Sequence, residues 1–315
     1  MAEYLHLHAE DCLVEATVHT RGAALGSLAI GGVSIVEQRP ADDLYAAGDV
    51  LFPWPNRLED GQYTWEGVSH QLAIDESDRR NAVHGLVRSR DFQVLQRDPD
   101  AVELGTLIEQ VPGYPFVVEL TIRYALRRDG MDMQFRARNL GTSAAPVALG
   151  LHPYLRIGAF STHDLVLDID AEGVLRLDER LLPTEMRPVA RTEVDPSGFN
   201  LAEAELNHCY ELRRPSPDGY RHRLWAPDGR RIEVWADACF PWVQVYTCPT
   251  FPGLDGTRTA VAVEPMTAPP NALRTGRDLI RLLPHRPHCS LITARSLLNS
   301  ASSRFVNAWS RLSPR

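Results

Sequence analysis

The stretch VELTIRYALRRDGMDMQFRAR, residues 118–138, decides the fold class. Val118, Leu120, Ile122, Tyr124 and Leu126 alternate with Glu119, Thr121, Arg123 and Ala125. A period of two sends successive side chains to opposite faces of a strand, so one face packs on a core and the other stays in or near solvent. Arg127-Arg128-Asp129-Gly130 follows, and Asp-Gly supplies the left-handed backbone that a tight turn needs. Met131, Met133, Phe135 and Ala137 then alternate with Asp132, Gln134, Arg136 and Arg138, which completes a predicted β-hairpin.

The same pattern recurs on both sides. A second hairpin is predicted around Pro227-Asp228-Gly229, with Tyr220 to Trp225 before it and Ile232 and Val234 alternating with polar neighbours after it. Further strands are predicted at Leu13 to Val18, Leu28 to Val36, Leu165 to Ile169, Val243 to Tyr246 and Val261 to Glu264. Helical patterns are scarce; the exception is the tail, where Ala301, Phe305, Trp309 and Leu312 have helical spacing. Many short strands punctuated by Gly, Pro and Asp predict an all-β protein, a large antiparallel sandwich with few short helices. One domain over residues 1–299 and a C-terminal tail over residues 300–315 is the expected division.

Composition narrows the function. The chain has 315 residues and a formal charge of −8, which argues against a nucleic-acid partner. All 33 basic residues are Arg, so a Schiff-base lysine and a phosphate-loop lysine are both excluded. The five cysteines (Cys12, Cys209, Cys239, Cys248 and Cys289) are scattered and form no Cys-x-x-Cys pair, which speaks against structural zinc and a disulfide framework. No secretory signal and no membrane-spanning run is visible, so a cytoplasmic protein without a membrane partner is expected. Monomer and homodimer are left equally open.

Four clusters carry candidate chemistry. Phe52-Pro53-Trp54-Pro55-Asn56-Arg57 is a proline-stiffened loop whose amide and guanidinium suit recognition of hydroxyls, although Arg57 in a structural ion pair is an equal alternative. Asn81-Ala82-Val83-His84-Gly85 places a His before Gly, a context often occupied by a plain loop residue. Leu151-His152-Pro153-Tyr154 delivers a His to a strand end, with a buried His bonded to backbone as the alternative. Val261-Ala262-Val263-Glu264-Pro265-Met266 ends an apolar strand on a carboxylate, which is costly unless paired or used. Gln244 and Tyr246 share one face of their own strand. With ordinary pKa values of about 6.5 and about 4.3, a His cation and a Glu anion would form an acid–base pair that needs neither metal nor cofactor.

Together and in this order, Asn56-Arg57 with Gly61, His84-Gly85-Leu86, His152-Pro153-Tyr154, Gln244-x-Tyr246 and Glu264-Pro265-Met266 resemble the aldose 1-epimerase (galactose mutarotase) family, over roughly residues 10–295. The resemblance implies the galactose mutarotase-like supersandwich and interconversion of the α and β anomers of a free aldose. It implies that Glu264 takes the proton of the C1 hydroxyl as base and that His152 protonates the ring oxygen as acid. Asn56, Arg57, His84 and Gln244 match sugar-binding positions, and Trp54 and Tyr154 are expected to stack on a sugar face or, for Tyr154, to pack. The family commonly carries Asp where this chain has Asn207, in Leu206-Asn207-His208-Cys209-Tyr210, which removes a negative charge from a substrate-binding position. Three alternatives follow from the residues. One is a sugar-binding or regulatory protein without catalysis, suggested by Asn207. Another is a hexose-6-phosphate mutarotase, in which Arg57, Arg88 and Arg90 serve a phosphate. The third is a metal-dependent β enzyme, suggested by the His6-x-His8 pair.

Overall fold

The structure, a computed structural model, describes residues 3–9, 13–41, 44–189, 198–202, 204–213, 219–253 and 256–296. The tail and its expected helix lie outside these residues, as does Cys12. Two large antiparallel sheets dominate. Among the described residues the first has nine strands, and the predicted hairpin, Val118–Arg127 with Gly130–Asn139, lies inside it beside Pro287–Ser296. The second has eight strands; its centre is Asn207–Leu212, Trp242–Gly253 and Gly256–Met266, followed by Gly150–Leu151 and Val50–Leu51, with Tyr154–Leu155 also paired to Gly256–Met266. A four-stranded N-terminal sheet, from Tyr4–His8 to Val33–Ser34, completes the body.

Alternation explains how the two large sheets meet. Leu120, Ile122, Tyr124 and Phe135 from the first join Val243, Val245, Val261 and Val263 from the second in one continuous apolar core, which also takes in Leu5, Leu7, Val14 and Val18 of the N-terminal sheet. Each such side chain contributes roughly 1.5–3 kcal/mol on burial. The remaining face of the eight-stranded sheet looks away from this core. There the cross-strand rows are Cys209, Gln244, Glu264 and, one step along, Asn207, Tyr246, Ala262, Tyr154.

Two local expectations change. The first hairpin turns on Arg128 and Asp129, because Arg127 pairs with Gly130, and Gly130 opens the second strand. The apolar register decides this: Leu126 must oppose Met131, and a one-residue slip would expose the entire row. Leu28 to Val36 is also not one strand. Gly31 and Gly32, at φ +59° and +75°, turn the chain between Leu25–Ile30 and Val33–Ser34. The second hairpin forms as expected, with Gly229 at φ +86° in its loop.

Candidate active site

Glu264 lies near the end of strand Gly256–Met266, on the face that points away from the valine core. It is 2% exposed, and its Oε1 sits 3.3 Å from Nε2 of His152. Its Oε2 is buried without a hydrogen-bond partner among the described residues. His152 is held through its backbone: its N–H donates to the Asp49 carbonyl and its carbonyl accepts from Gly48 N–H, at 3.0 and 2.8 Å. Asp49 in turn forms a buried ion pair with Arg39. The His152 ring packs against Tyr154 at 5.2 Å between centroids, and Tyr154 packs against Phe251 at 4.6 Å.

Burial overturns the charge states expected from free side chains. Desolvation pushes Glu264 up to about 8, against a smaller lowering by the Arg57 cation. Desolvation pushes His152 down to about 3. Both shifts favour the same arrangement, a protonated carboxyl beside a neutral imidazole, because a low-dielectric site disfavours either charge. The pair therefore holds one proton between its two groups.

His84 approaches from another part of the chain. Asn56, at φ +57°, and His84, at φ +62°, flank a short ladder in which Arg57 pairs with Val83. His84 N–H donates to the Asn56 carbonyl at 2.9 Å, and Asn56 N–H donates to His84 Nδ1 at 3.2 Å. Nδ1 is thus the acceptor, and the proton of the neutral ring lies on Nε2. Burial holds His84 well below the ordinary histidine range, with His152, Arg88 and Arg57 adding to the effect. The ring meets that of His152 edge to face, 5.4 Å between centroids. Gly85, at φ +78°, is required here, since a Cβ would lie 2.2 Å from the Phe52 carbonyl oxygen.

A chain of amides joins these groups to the sheet. Asn56 Nδ2 donates to Gln244 Oε1 at 3.4 Å, and Gln244 Nε2 donates to Asn207 Oδ1 at 2.9 Å. Arg57 is gripped by Glu76, which accepts from Nε and Nη2, both at 2.9 Å, while Asn81 Nδ2 donates to the same carboxylate at 2.8 Å. Arg57 thus forms the ion pair of the alternative reading, and its charge also reaches Glu264, His84 and Tyr246.

The structure brings Asn56, Arg57, His84, His152, Asn207, Gln244 and Glu264 into one site. One aromatic expectation is corrected and one alternative is decided. Trp54 is 3% exposed and belongs to the main apolar core beside Phe52, so it is not an exposed stacking surface. The whole loop is buried, from Leu51 to Asn56, and the Trp54 ring goes inward with it. Tyr154, 2% exposed, packs with Ala47, Cys248, Phe251 and Ala262 and against the His152 ring, which is the packing alternative given for it. Glu76 escaped the sequence reading, because an acid in Asp75-Glu76-Ser77-Asp78-Arg79-Arg80 looks like any solvated loop. His6 and His8 lie on one face of their strand, opposite Thr17 and Glu15, and no cluster of three or more metal-ligating side chains occurs among the described residues.

The sequence model of the family "Aldose 1-epimerase" matches residues 5–290. The chain belongs to the aldose 1-epimerase family. It is 31% identical over 281 residues to the uncharacterized protein YihR of Escherichia coli, covering 87% of each chain. The fold agrees with solved family structures. A galactose mutarotase-like protein from Clostridium acetobutylicum superposes with a TM-score of 0.81 at 16% identity, covering 94% of this chain and 98% of that one. The GalM/aldose epimerase homologue from C. elegans gives 0.80 at 18% identity, covering 94% and 99%.

Proposed function

We propose that this protein is an aldose 1-epimerase that equilibrates the α and β anomers of a sugar, with Glu264 and His152 as its proton relay. The observation that carries the reading is the buried contact of 3.3 Å between Glu264 and His152 on the polar face of the sheet, beside the Asn56–Gln244–Asn207 amide chain and within reach of the Arg57 cation.

Anomerisation moves one proton from the C1 hydroxyl to the ring oxygen, and the pair holds one proton to exchange. In the tautomer with Glu264 ionised and His152 protonated, Glu264 takes the hydroxyl proton and His152 protonates the ring oxygen as the C1–O5 bond breaks. The pair is then a neutral carboxyl and a neutral imidazole, the arrangement that burial already favours. The C1–C2 bond rotates, His152 takes the proton back from the C5 hydroxyl as O5 attacks the other face of C1, and Glu264 returns its proton to O1. Proton inventory is unchanged over the cycle. Arg57 and His84 supply donors to developing charge on oxygen, in a site whose burial strengthens each interaction.

The test is the exchange rate of freshly dissolved α-anomers, read by polarimetry or by NMR saturation transfer. Catalytic amounts of protein are expected to raise the rate in proportion to concentration. Sugar binding without acceleration would leave a binding function and sink the relay.

A further inference from the structure

The His152 ring has little of its own to hold it. Its Nδ1 is buried without a hydrogen-bond partner among the described residues, and the polar contact of its Nε2 is Glu264 itself. The ring therefore goes where its backbone is put. On one side that backbone is tied to the Glu264 strand, because Val263 N–H donates to the Pro153 carbonyl at 3.2 Å. On the other side lies Ala47-Gly48-Asp49, whose Gly48 N–H and Asp49 carbonyl close two hydrogen bonds on the His152 peptide groups.

Arg39 fixes this second side. Its Nη1 donates to the Ala47 carbonyl at 2.6 Å and to Asp49 Oδ1 at 2.5 Å, so one nitrogen brackets Gly48. Both side chains are buried, Arg39 at 6% exposure and Asp49 at 0%. Arg39 is anchored in turn, since its N–H donates to the Gly26 carbonyl at 2.9 Å. Gly48 is anchored on the same strand: its carbonyl accepts from Leu25 N–H at 2.9 Å, and a Cβ at this position, φ +75°, would lie 2.0 Å from the Leu25 carbonyl oxygen. Strand Leu25–Ile30 of the N-terminal sheet thus reaches the site through a guanidinium and a glycine.

A buried ion pair is a poor source of stability. Desolvating both charges offsets their attraction, and an apolar pair of equal volume does as well or better. An apolar pair cannot, however, donate to the Ala47 carbonyl and hold it at a fixed distance from Asp49. We propose that Arg39, through Asp49, is a positioning residue: the pair sets the Ala47–Asp49 backbone that holds His152 in contact with Glu264. This rests on the anomerase reading for the reaction, whereas the placement of the His152 ring can be read without it.

Two variants of the full chain separate position from stability. Arg39→Met with Asp49→Leu removes both charges together and is expected to keep the wild-type Tm or exceed it. Its kcat for anomer exchange is expected to fall about 10²-fold with KM unchanged, because the sugar-binding side chains are untouched and only His152 is misplaced. Asp49→Asn does the reverse. It keeps an acceptor for Arg39 Nη1 and leaves the cation without its counter-charge, so Tm is expected to fall while kcat stays near wild type. Should the double variant fail to fold, Asp49→Asn still decides: kcat lost in step with Tm overturns the proposal. Wild-type kcat in the folded double variant overturns it as well and makes the pair purely structural. The imidazole ¹⁵N signals of His152, assigned by their loss in His152→Asn, give a readout free of turnover. They are expected to shift in the double variant and to stay in place in Asp49→Asn. Unmoved signals in the double variant overturn the positioning role. A wild-type protein that accelerates no aldose exchange sinks the relay alone, and shifted signals then keep the positioning of His152.

Discussion

The two faces of strands Trp242–Gly253 and Gly256–Met266 run through the same backbone and do opposite work. Val243, Val245, Val261 and Val263 face the other sheet and are fully buried in the apolar core. Gln244, Tyr246, Ala262 and Glu264, each one residue away, face the site. Glu264 and Val263 are both buried, so exposure does not distinguish them. The neighbours do: Glu264 has His152 across 3.3 Å and an Arg57 cation in range, whereas Val263 has only apolar contacts to offer. A carboxyl survives burial where a proton acceptor and a cation accompany it, and such a carboxyl acquires a pKa suited to proton transfer.

The largest effect should come from erasing this distinction. Val263→Asp puts a carboxylate in the core without a partner and is expected to cost about 4 kcal/mol or more, read as loss of the cooperative transition in circular dichroism. A Val263→Asp protein with wild-type stability would show that the two faces are interchangeable. Changing the polar face should instead leave the fold intact: His152→Asn is expected to slow anomer exchange about 10²–10⁴-fold with little change in Tm.

The pH profile sharpens the same contrast. The pair holds one proton between about 3 and about 8, so kcat/KM is expected to fall about ten-fold per unit as pH rises beyond about 8, where no proton remains for the ring oxygen. On the acid side stability should fail first. His152, His84 and His222 are buried with lowered pKa values, so the stability they carry is present above their unfolded value of about 6.5 and is lost as pH falls toward their folded values. A rate that climbs through pH 9 would contradict the one-proton pair. The smallest effect concerns Arg57. Glu76→Gln removes the charged half of its clamp and is expected to raise KM roughly ten-fold, about 1.5 kcal/mol, with kcat less affected. Unequal KM and kcat responses distinguish lost positioning from general loosening.

Much of this was legible in the sequence, for physical reasons. Period-two alternation located the strands because a half-buried strand must alternate, and Val261 to Glu264 announced its carboxylate by breaking an apolar run. The motifs that resemble the family named seven residues that the fold gathers from Asn56 to Glu264. Three features were not legible. Trp54 reads as exposed in a Pro-rich loop, but its burial depends on which way that loop turns. Glu76 meets Arg57 across 19 residues of sequence, a separation that no local pattern records. The charge states of Glu264 and His152 depend on desolvation, a property of the assembled sheet that intrinsic pKa values cannot supply.

The most direct test of the relay is anomer exchange by Glu264→Gln on a sugar that the wild type demonstrably equilibrates. Gln fills the same space and removes the titrating proton, so the fold should persist, with Tm at neutral pH unchanged or raised because no acid is then forced to stay neutral. The expected result is a rate lower by about 10²–10⁴-fold on this folded protein. Exchange at the wild-type rate by folded Glu264→Gln would contradict the assignment of Glu264 and, with it, the proton relay.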